Sequence, residues 1–435
     1  MRSVLLQAPT GFGKTVVAAD VMLGTMDRGG VPFFVCHRRE LVEQSSLTLT
    51  RFGIPHSFIA AGFPYDPRAA CFVASIDSLK SDKRLAVVPQ PKLMIWDETH
   101  HIAAAGWAKV RNHYGESYHL GLSATPRRLD GKGLAAYFEA MVQGPPVAWL
   151  IDNGFLAQYR IFSIPGADTS KLHRRAGEFI KAESAAAMDR KVIMGNIGKH
   201  WSEYARGRLT IGFAVTVQHS QHIVQAMQAI GIRAAHLDAT TKRAERKQIL
   251  QDLARGRLDM VWNVGLFGEG YDLAANAGLN VQVGCVVDAA PTDSESIWLQ
   301  RCGRALRPQE SRAVILDHAG NAGRHGLPCE PREWTLEHDR KKRNPADRVP
   351  MKQCDRCYAC HEPAPACPEC GYEYPITQRQ INEIEGELQE LDRKRERKQQ
   401  QRQAQTLAQL IALGEARGYK PGWARHVWKV RQGRR

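Results

Sequence analysis

Short apolar runs separated by longer stretches of mixed polarity recur along most of the chain. In the first third they are Val4-Leu5-Leu6, Pro32-Phe33-Phe34-Val35-Cys36, Ala70-Cys71-Phe72-Val73-Ala74, Leu93-Met94-Ile95-Trp96 and Tyr118-His119-Leu120-Gly121-Leu122. Between them lie helix-like stretches such as Val16-Val17-Ala18-Ala19-Asp20-Val21-Met22-Leu23. Strands with so few polar positions are covered on both faces, and strands separated by helices make a parallel sheet. The pattern predicts an α/β domain over residues 1–143. Gly144-Pro145-Pro146 interrupts it, and residues 144–200 read as a connector with a helical insert. The runs resume at Leu209-Thr210-Ile211-Gly212-Phe213-Ala214-Val215, Ala234-Ala235-His236-Leu237, Leu258-Asp259-Met260-Val261-Trp262, Val281-Gln282-Val283-Gly284-Cys285-Val286-Val287 and Ala313-Val314-Ile315-Leu316. A second parallel α/β domain is expected over residues 201–330. A chain of 435 residues has room for two or three such cores.

Parallel sheets bind ligands at the carboxyl ends of their strands, and the chemistry-bearing residues stand there. The first run leads into Ala8-Pro9-Thr10-Gly11-Phe12-Gly13-Lys14-Thr15, which opens the first helix. Gly11 and Gly13 permit backbone angles closed to other residues, so successive N–H groups around Thr10, Gly11, Phe12 and Gly13 can turn toward a phosphate at a helix N-terminus. Lys14 is expected to hold the β/γ-phosphates of a nucleotide and Thr15 its Mg²⁺. The first position of this motif is Ala8, where its strictest form has glycine. Asp97-Glu98-Thr99-His100 follow Trp96 directly. Two acids after a buried strand are costly without a cation; Asp97 is expected to hold Mg²⁺ and Glu98 to orient the attacking water.

In the second domain, Asn263-Val264-Gly265-Leu266-Phe267-Gly268-Glu269-Gly270-Tyr271-Asp272 follows a strand. Gln300-Arg301-Cys302-Gly303-Arg304-Ala305-Leu306-Arg307-Pro308 reads as helical, which would put Arg304 and Arg307 on one face, aimed at one anion.

Charge and cysteine spacing add two further segments. The net charge is +15, pointing to a polyanion partner, and from residue 393 onward there are 13 Lys/Arg against 2 Asp/Glu. The basic surface is therefore mostly C-terminal. Residues 377–435 read as a polar, charge-rich helix followed by a small basic hairpin. There Trp423 and Trp428 pack on a preceding helix or stack on bases, while Arg425, Lys429 and Arg431 face phosphates. Of ten cysteines, five fall between Cys354 and Cys370. Cys354-x₂-Cys357 and Cys367-x₂-Cys370 have the spacing of a four-thiolate Zn²⁺ site, a zinc ribbon over residues 350–376. Cys357 with Cys360 is an alternative first pair, and an iron–sulfur cluster an alternative occupant. The ribbon either grips nucleic acid or caps the rest of the chain. No charged leader and no apolar run of roughly 18 residues is present, so a soluble protein of a reducing, cytoplasmic compartment, without a membrane partner, is expected.

The motifs APTGFGKT, WDETH and Gly121-Leu122-Ser123-Ala124-Thr125-Pro126, followed by the glycine-rich and arginine-bearing segments of the second domain, resemble superfamily 2 helicases of the DEAD/DEAH-box type. The resemblance spans residues 1 to about 320. It implies two RecA-like P-loop motor domains that bind ATP between them. It assigns Asp97 and Glu98 to metal and water, and makes Ser123 and Thr125 couple nucleotide state to strand movement. It turns Gln300, Arg304 and Arg307 toward the γ-phosphate and sets Gly270 and Asp272 beside the nucleotide. His37, Arg38 and Ser75, with Thr216, His219 and Thr240, would meet phosphates of a nucleic-acid strand. The family's adenine-reading glutamine helix has no counterpart in the seven residues ahead of Ala8, which leaves adenine selectivity open and suits a truncated start. Motor, zinc knuckle and basic tail together resemble helicases of phage and bacterial DNA repair. That favours DNA over RNA, a bacterial or phage-infected cytoplasm, and replication, repair or nuclease proteins as partners. The expected activity is ATP-dependent helicase or translocase; the alternatives are a DNA-stimulated ATPase that remodels without separating strands, and the motor subunit of a nuclease complex.

Overall fold

The structure, a computed structural model, describes residues 1–127, 133–163, 172–175, 178–268, 273–337, 350–375, 400–401, 403–420 and 422–432. It divides into two units, Met1–Tyr374 and Pro375–Arg435. Gly270, Asp272, most of the stretch read as a charged helix, and the Arg431 side chain lie outside the described residues.

The first unit holds two parallel sheets. In the first, β1 (Ser3–Gln7), β2 (Pro32–Cys36), β3 (Ser57–Ile59), β4 (Phe72–Ser75), β5 (Leu93–Trp96), β6 (Tyr118–Ser123) and β7 (Ala140–Gln143) lie in the order β3-β4-β2-β5-β6-β1-β7. The central strands β2 and β5 are buried at every position, as strands with helices on both faces must be. One face packs Phe33, Phe72, Met94 and Trp96 against Trp107, Val110 and Tyr114. The other packs Phe34, Val73 and Ile95 against α1 (Lys14–Met26) and α2 (Arg39–Arg51).

The second sheet contains β8 (Tyr159–Ser163), β11 (Thr210–Phe213), β12 (Ala234–Leu237), β13 (Met260–Asn263), β14 (Cys285–Asp288) and β15 (Ala313–Asp317), ordered β12-β13-β11-β14-β15-β8. Between β8 and β11 a short antiparallel pair, β9 (Arg174–Arg175) and β10 (Glu178–Phe179), precedes the helices Lys181–Met188 and Lys191–Tyr204. The stretch read as a connector thus supplies an edge strand: β8 pairs in parallel with β15, Ile161 opposite Ile315. Its two half-exposed leading residues, Tyr159 and Arg160, mask the apolar pattern. A small hairpin of β16 (Lys352–Gln353) and β17 (Cys360–His361) follows.

The second unit is a helical hairpin, Leu407–Ala416 and Trp423–Gln432. Thr406 and Gln409 form a reciprocal capping box at its start. Leu410 and Ala424 are buried, and Trp423, Val427 and Trp428 pack against them. The tryptophans thus pack within the hairpin while staying partly exposed, and Arg425 and Lys429 are exposed. Among the described residues no helix is long and apolar enough to cross a membrane.

Candidate active site

The loop after β1 is fastened at its base, where Ala8 N donates to Ser123 O at 3.0 Å. Gly11 (φ 90°) and Gly13 (φ 95°) take left-handed angles that a β-carbon would strain. Gly13 caps α1 without any side-chain acceptor; Val16 N bonds Gly13 O at 2.8 Å, which leaves the leading N–H groups of Lys14 and Thr15 for a ligand at the loop. Lys14 Nζ reaches back across the loop to Ala8 O (2.9 Å) and Pro9 O (3.2 Å). Burial lowers its pKa from the ordinary lysine value, the charges of Glu98 and Asp97 oppose that, and Arg304 adds to it.

Asp97 follows β5, with its N–H bonded to Val35 O at 3.0 Å. Burial first, then the charge of Glu98, pushes the Asp97 carboxyl above the usual carboxylate range, with Lys14 pulling the other way. Glu98 is 7% exposed and sits at φ 49°. Among the described residues only it and Tyr358 are non-glycine residues at positive φ. Such strain collects at working sites, where surrounding contacts hold it. Here Thr99 Oγ1 donates to Trp96 O (2.8 Å) and Leu122 O (3.0 Å), pinning the turn between two strands. A hydroxyl at Thr15 and a half-buried carboxylate at Asp97 are hard oxygen donors suited to Mg²⁺. Ser123 and Thr125 are buried at the end of β6, joined by Thr125 N to Ser123 Oγ at 3.2 Å. Gln7 Nε2 ties the same turn to β1 through Ala124 O at 3.0 Å.

The second domain meets this loop directly. A β-carbon on Gly303 would lie 2.9 Å from Thr10 Cβ, and one on Gly11 would lie 2.7 Å from Leu156 Cδ2. Phe12 packs on the apolar cluster that holds Leu150, Leu156 and Leu306. Arg304 is 6% exposed, donates to Gly268 O, and is close enough to Lys14 for their charges to interact. The helix expected to carry both arginines, Glu295–Cys302, stops short of them. Gly303 closes it, and Pro308 disfavours helical angles at Arg307. The two therefore share no helix face. Arg307 instead lines a crevice of about 560 Å³ with Gln44, Thr48 and Arg51 of α2 and with Asn280. Gln300 lies on the helix proper, 4% exposed, and its Nε2 makes no hydrogen bond.

The remaining expected contacts lie at the carboxyl ends of strands. His37 and Arg38 follow β2, and the His37 ring lies 4.9 Å from that of His101. Ser75 ends β4, and Thr216 caps the helix Val217–Ala229, accepting from His219 N at 3.1 Å. Ion pairs that no motif marks tie the domains together: Arg246–Glu40 (3.1 Å), Arg243–Glu43 (2.8 Å) and Arg127–Glu295 (2.9 Å). For the first two, the basic run Lys242-Arg243 with Arg246-Lys247 is the local signal.

Cys354, Cys357, Cys367 and Cys370 form one cluster, with all four sulfurs within 4.8 Å of one another. Cys354–Cys370 and Cys357–Cys367 are each 3.7 Å apart. Four thiolates about 2.3 Å from a tetrahedral zinc lie about 3.8 Å from each other, so the cage has zinc's size. Cys360 is buried in a separate apolar cluster with Ile161, Trp298 and Cys302.

A phosphate loop and a pair of acids, one buried and one half-buried, on one α/β domain, facing an arginine of a second, define a two-domain P-loop nucleotide hydrolase. Comparison with known proteins sharpens the class. Residues 1–128 match the family described as type III restriction enzyme, res subunit, and residues 192–309 the helicase conserved C-terminal domain. A 51.5 kDa protein of Lactococcus phage (isolate 7-9) is 32% identical over 396 residues, 90% of this chain and 83% of that protein. The Schizosaccharomyces pombe protein named as mitochondrial ATP-dependent helicase irc3 is 29% identical over 353 residues, 76% of this chain but 56% of that one. The chain thus spans most of the phage protein and little more than half of the yeast one. The solved structure of the ATP-dependent Type ISP restriction-modification enzyme LlaBIII bound to DNA shares the fold, with a TM-score of 0.53 at 14% identity over 73% of this chain and 26% of that one. The chain belongs to the superfamily 2 helicases, a family of ATP hydrolases.

Proposed function

We propose that this chain is a DNA translocase that separates strands, driven by ATP hydrolysis in the cleft between its two α/β domains. The observation that carries the reading is Gly303 packed on Thr10 with Arg304 beside Lys14, a cleft to which both domains contribute. Lys14 and the amides of residues 10–15 would hold the phosphates, Thr15 and Asp97 would hold Mg²⁺, and Glu98 would orient water. Arg304 and Gln300 would reach the γ-phosphate from the second domain, whereas Arg307, which lines the crevice beside α2, would reach it only by leaving that crevice. Bound ATP supplies a phosphoanhydride whose cleavage releases the contacts that hold the domains together. Ser123 and Thr125, adjoining the loop strand, would pass that release to the first domain. His37, Arg38, Ser75 and Thr216 would bind strand phosphates, as would Arg425 and Lys429 of the tail.

DNA is supported over RNA by the match of residues 1–128 to a restriction-enzyme subunit. The phage relative fits action in a bacterial cytoplasm beside replication, repair or nuclease proteins. The test is ATPase activity with single-stranded DNA, duplex DNA and RNA, run beside strand-displacement and translocation assays. DNA-stimulated hydrolysis with displacement is expected. Hydrolysis with neither displacement nor translocation would overturn the motor reading in favour of a remodelling ATPase.

A further inference from the structure

The cysteine segment is built into the second motor domain. In the sheet order β8 is the terminal strand, so one row of its backbone groups has no partner strand, a recognised hazard for aggregation and mispairing. The segment covers that row. Phe162 forms an antiparallel bridge with Ala359, Ser163 N donates to Tyr358 O at 3.1 Å, and Gln353 Nε2 donates to Ser163 O. Side chains straddle the strand: Cys354, Ala359 and Cys367 join the cluster of Phe162 and Trp201, while Cys360 joins that of Ile161 and Trp298 on the opposite face. Glu369, between the last two cysteines, pairs with Arg160 of β8 (3.5 Å) and Arg312 beside β15 (3.3 Å).

Metal geometry and this cover depend on the same turns. In each knuckle the residue after the second cysteine is left-handed, Tyr358 at φ 61° and Gly371 at φ 68°. In each, that residue's N–H bonds the first cysteine's carbonyl at 2.9 Å, Tyr358 to Cys354 and Gly371 to Cys367. A tyrosine held at positive φ is strained, unlike the glycine that matches it. Its carbonyl is the acceptor for Ser163, so the strained turn that a metal would fix is the one that meets the sheet edge.

We infer that Zn²⁺ bound by Cys354, Cys357, Cys367 and Cys370 closes the open edge of the second motor sheet, making metal occupancy a condition for β8 staying paired. This rests on the zinc reading of the cluster. Too small for a core of its own, the segment takes its order from the metal and passes it to β8 through Tyr358 and Ala359.

The test is hydrogen–deuterium exchange on the full chain before and after removal of metal with 1,10-phenanthroline, with zinc content measured by elemental analysis. One zinc per chain is expected, and its release should speed exchange of the peptide covering residues 159–163 tenfold or more, ahead of the β1 and β11 peptides. Zinc released with exchange at 159–163 unchanged overturns the inference, including the case where only DNA binding weakens. A purified, folded chain that contains no zinc overturns the metal reading itself.

Discussion

Replacing Gly303 with alanine isolates the contact between the domains. Gly303 has φ −57° and ψ −16°, angles that alanine adopts freely, so the added methyl carries no backbone penalty. That methyl would sit 2.9 Å from Thr10 Cβ, 3.1 Å from Thr10 Cγ2 and 3.2 Å from Leu299 O. Carbon atoms rest about 3.5–4.0 Å apart, so the domains must part by several tenths of an ångström or more. Overpacking of this kind costs about 1–3 kcal/mol, which disfavours the closed arrangement by about 5- to 150-fold. Single-turnover ATP hydrolysis at saturating DNA should slow by that factor. Nucleotide affinity, set chiefly by the first domain, should change far less. Thr10→Gly in the same chain removes both clashing carbons and should restore much of the rate. Gly303→Ala hydrolysing ATP at the wild-type rate would refute the packing of the second domain on the phosphate loop.

Lys14→Ala is expected to abolish nucleotide binding, whereas Glu98→Gln should bind nucleotide and lose hydrolysis by two or more orders of magnitude; equilibrium binding beside turnover separates them. Burial holds His119 and His219 neutral, each pushed down to about 4, and the Nδ1 atoms accept from Trp96 Nε1 (3.1 Å) and Val215 N (3.3 Å). Because the folded values lie below the unfolded 6.5, their contribution is complete above pH 6.5 and falls as pH drops toward 4, by about 1.4 kcal/mol per unit for each histidine. Denaturant midpoints measured from pH 7 to 4.5 should show that slope, and His119→Gln should flatten it. Glu40→Arg should weaken domain closure about fivefold, consistent with roughly 1 kcal/mol for such a pair, and Arg246→Glu should rescue it; a double variant no better than either single one would contradict the tie. Arg425→Ala and Lys429→Ala should each reduce the slope of log affinity for DNA against log salt by about 1.

The two sheets were legible because strands such as β2 and β5, buried on both faces, leave almost no polar interruption. β7 and β8 escaped because both are edge strands with half-exposed or exposed positions, and β3 because it has only three residues. The phosphate loop and the acids after β5 announced themselves through residue types that special angles and buried charge require. The end of the helix before Arg304 is equally readable, since Gly303 and Pro308 are both stop signals that outweigh the helical spacing of the arginines. Spacing alone left Cys360 competing with Cys354; burial on opposite faces of β8 separates them. The Thr10–Gly303 contact, the Glu40 and Glu43 ion pairs and the covering of β8 join residues about 190 to 290 positions apart, and no local pattern encodes them.

If hydrolysis needs an arginine from the second domain at a phosphate held by the first, Arg304→Ala, assayed for nucleotide binding and for DNA-stimulated ATP turnover in the same preparation, separates the two functions. Nucleotide binding should persist while turnover falls about 10³-fold or more, the scale of an arginine acting on a transferred phosphoryl group. Turnover at the wild-type rate would contradict the account.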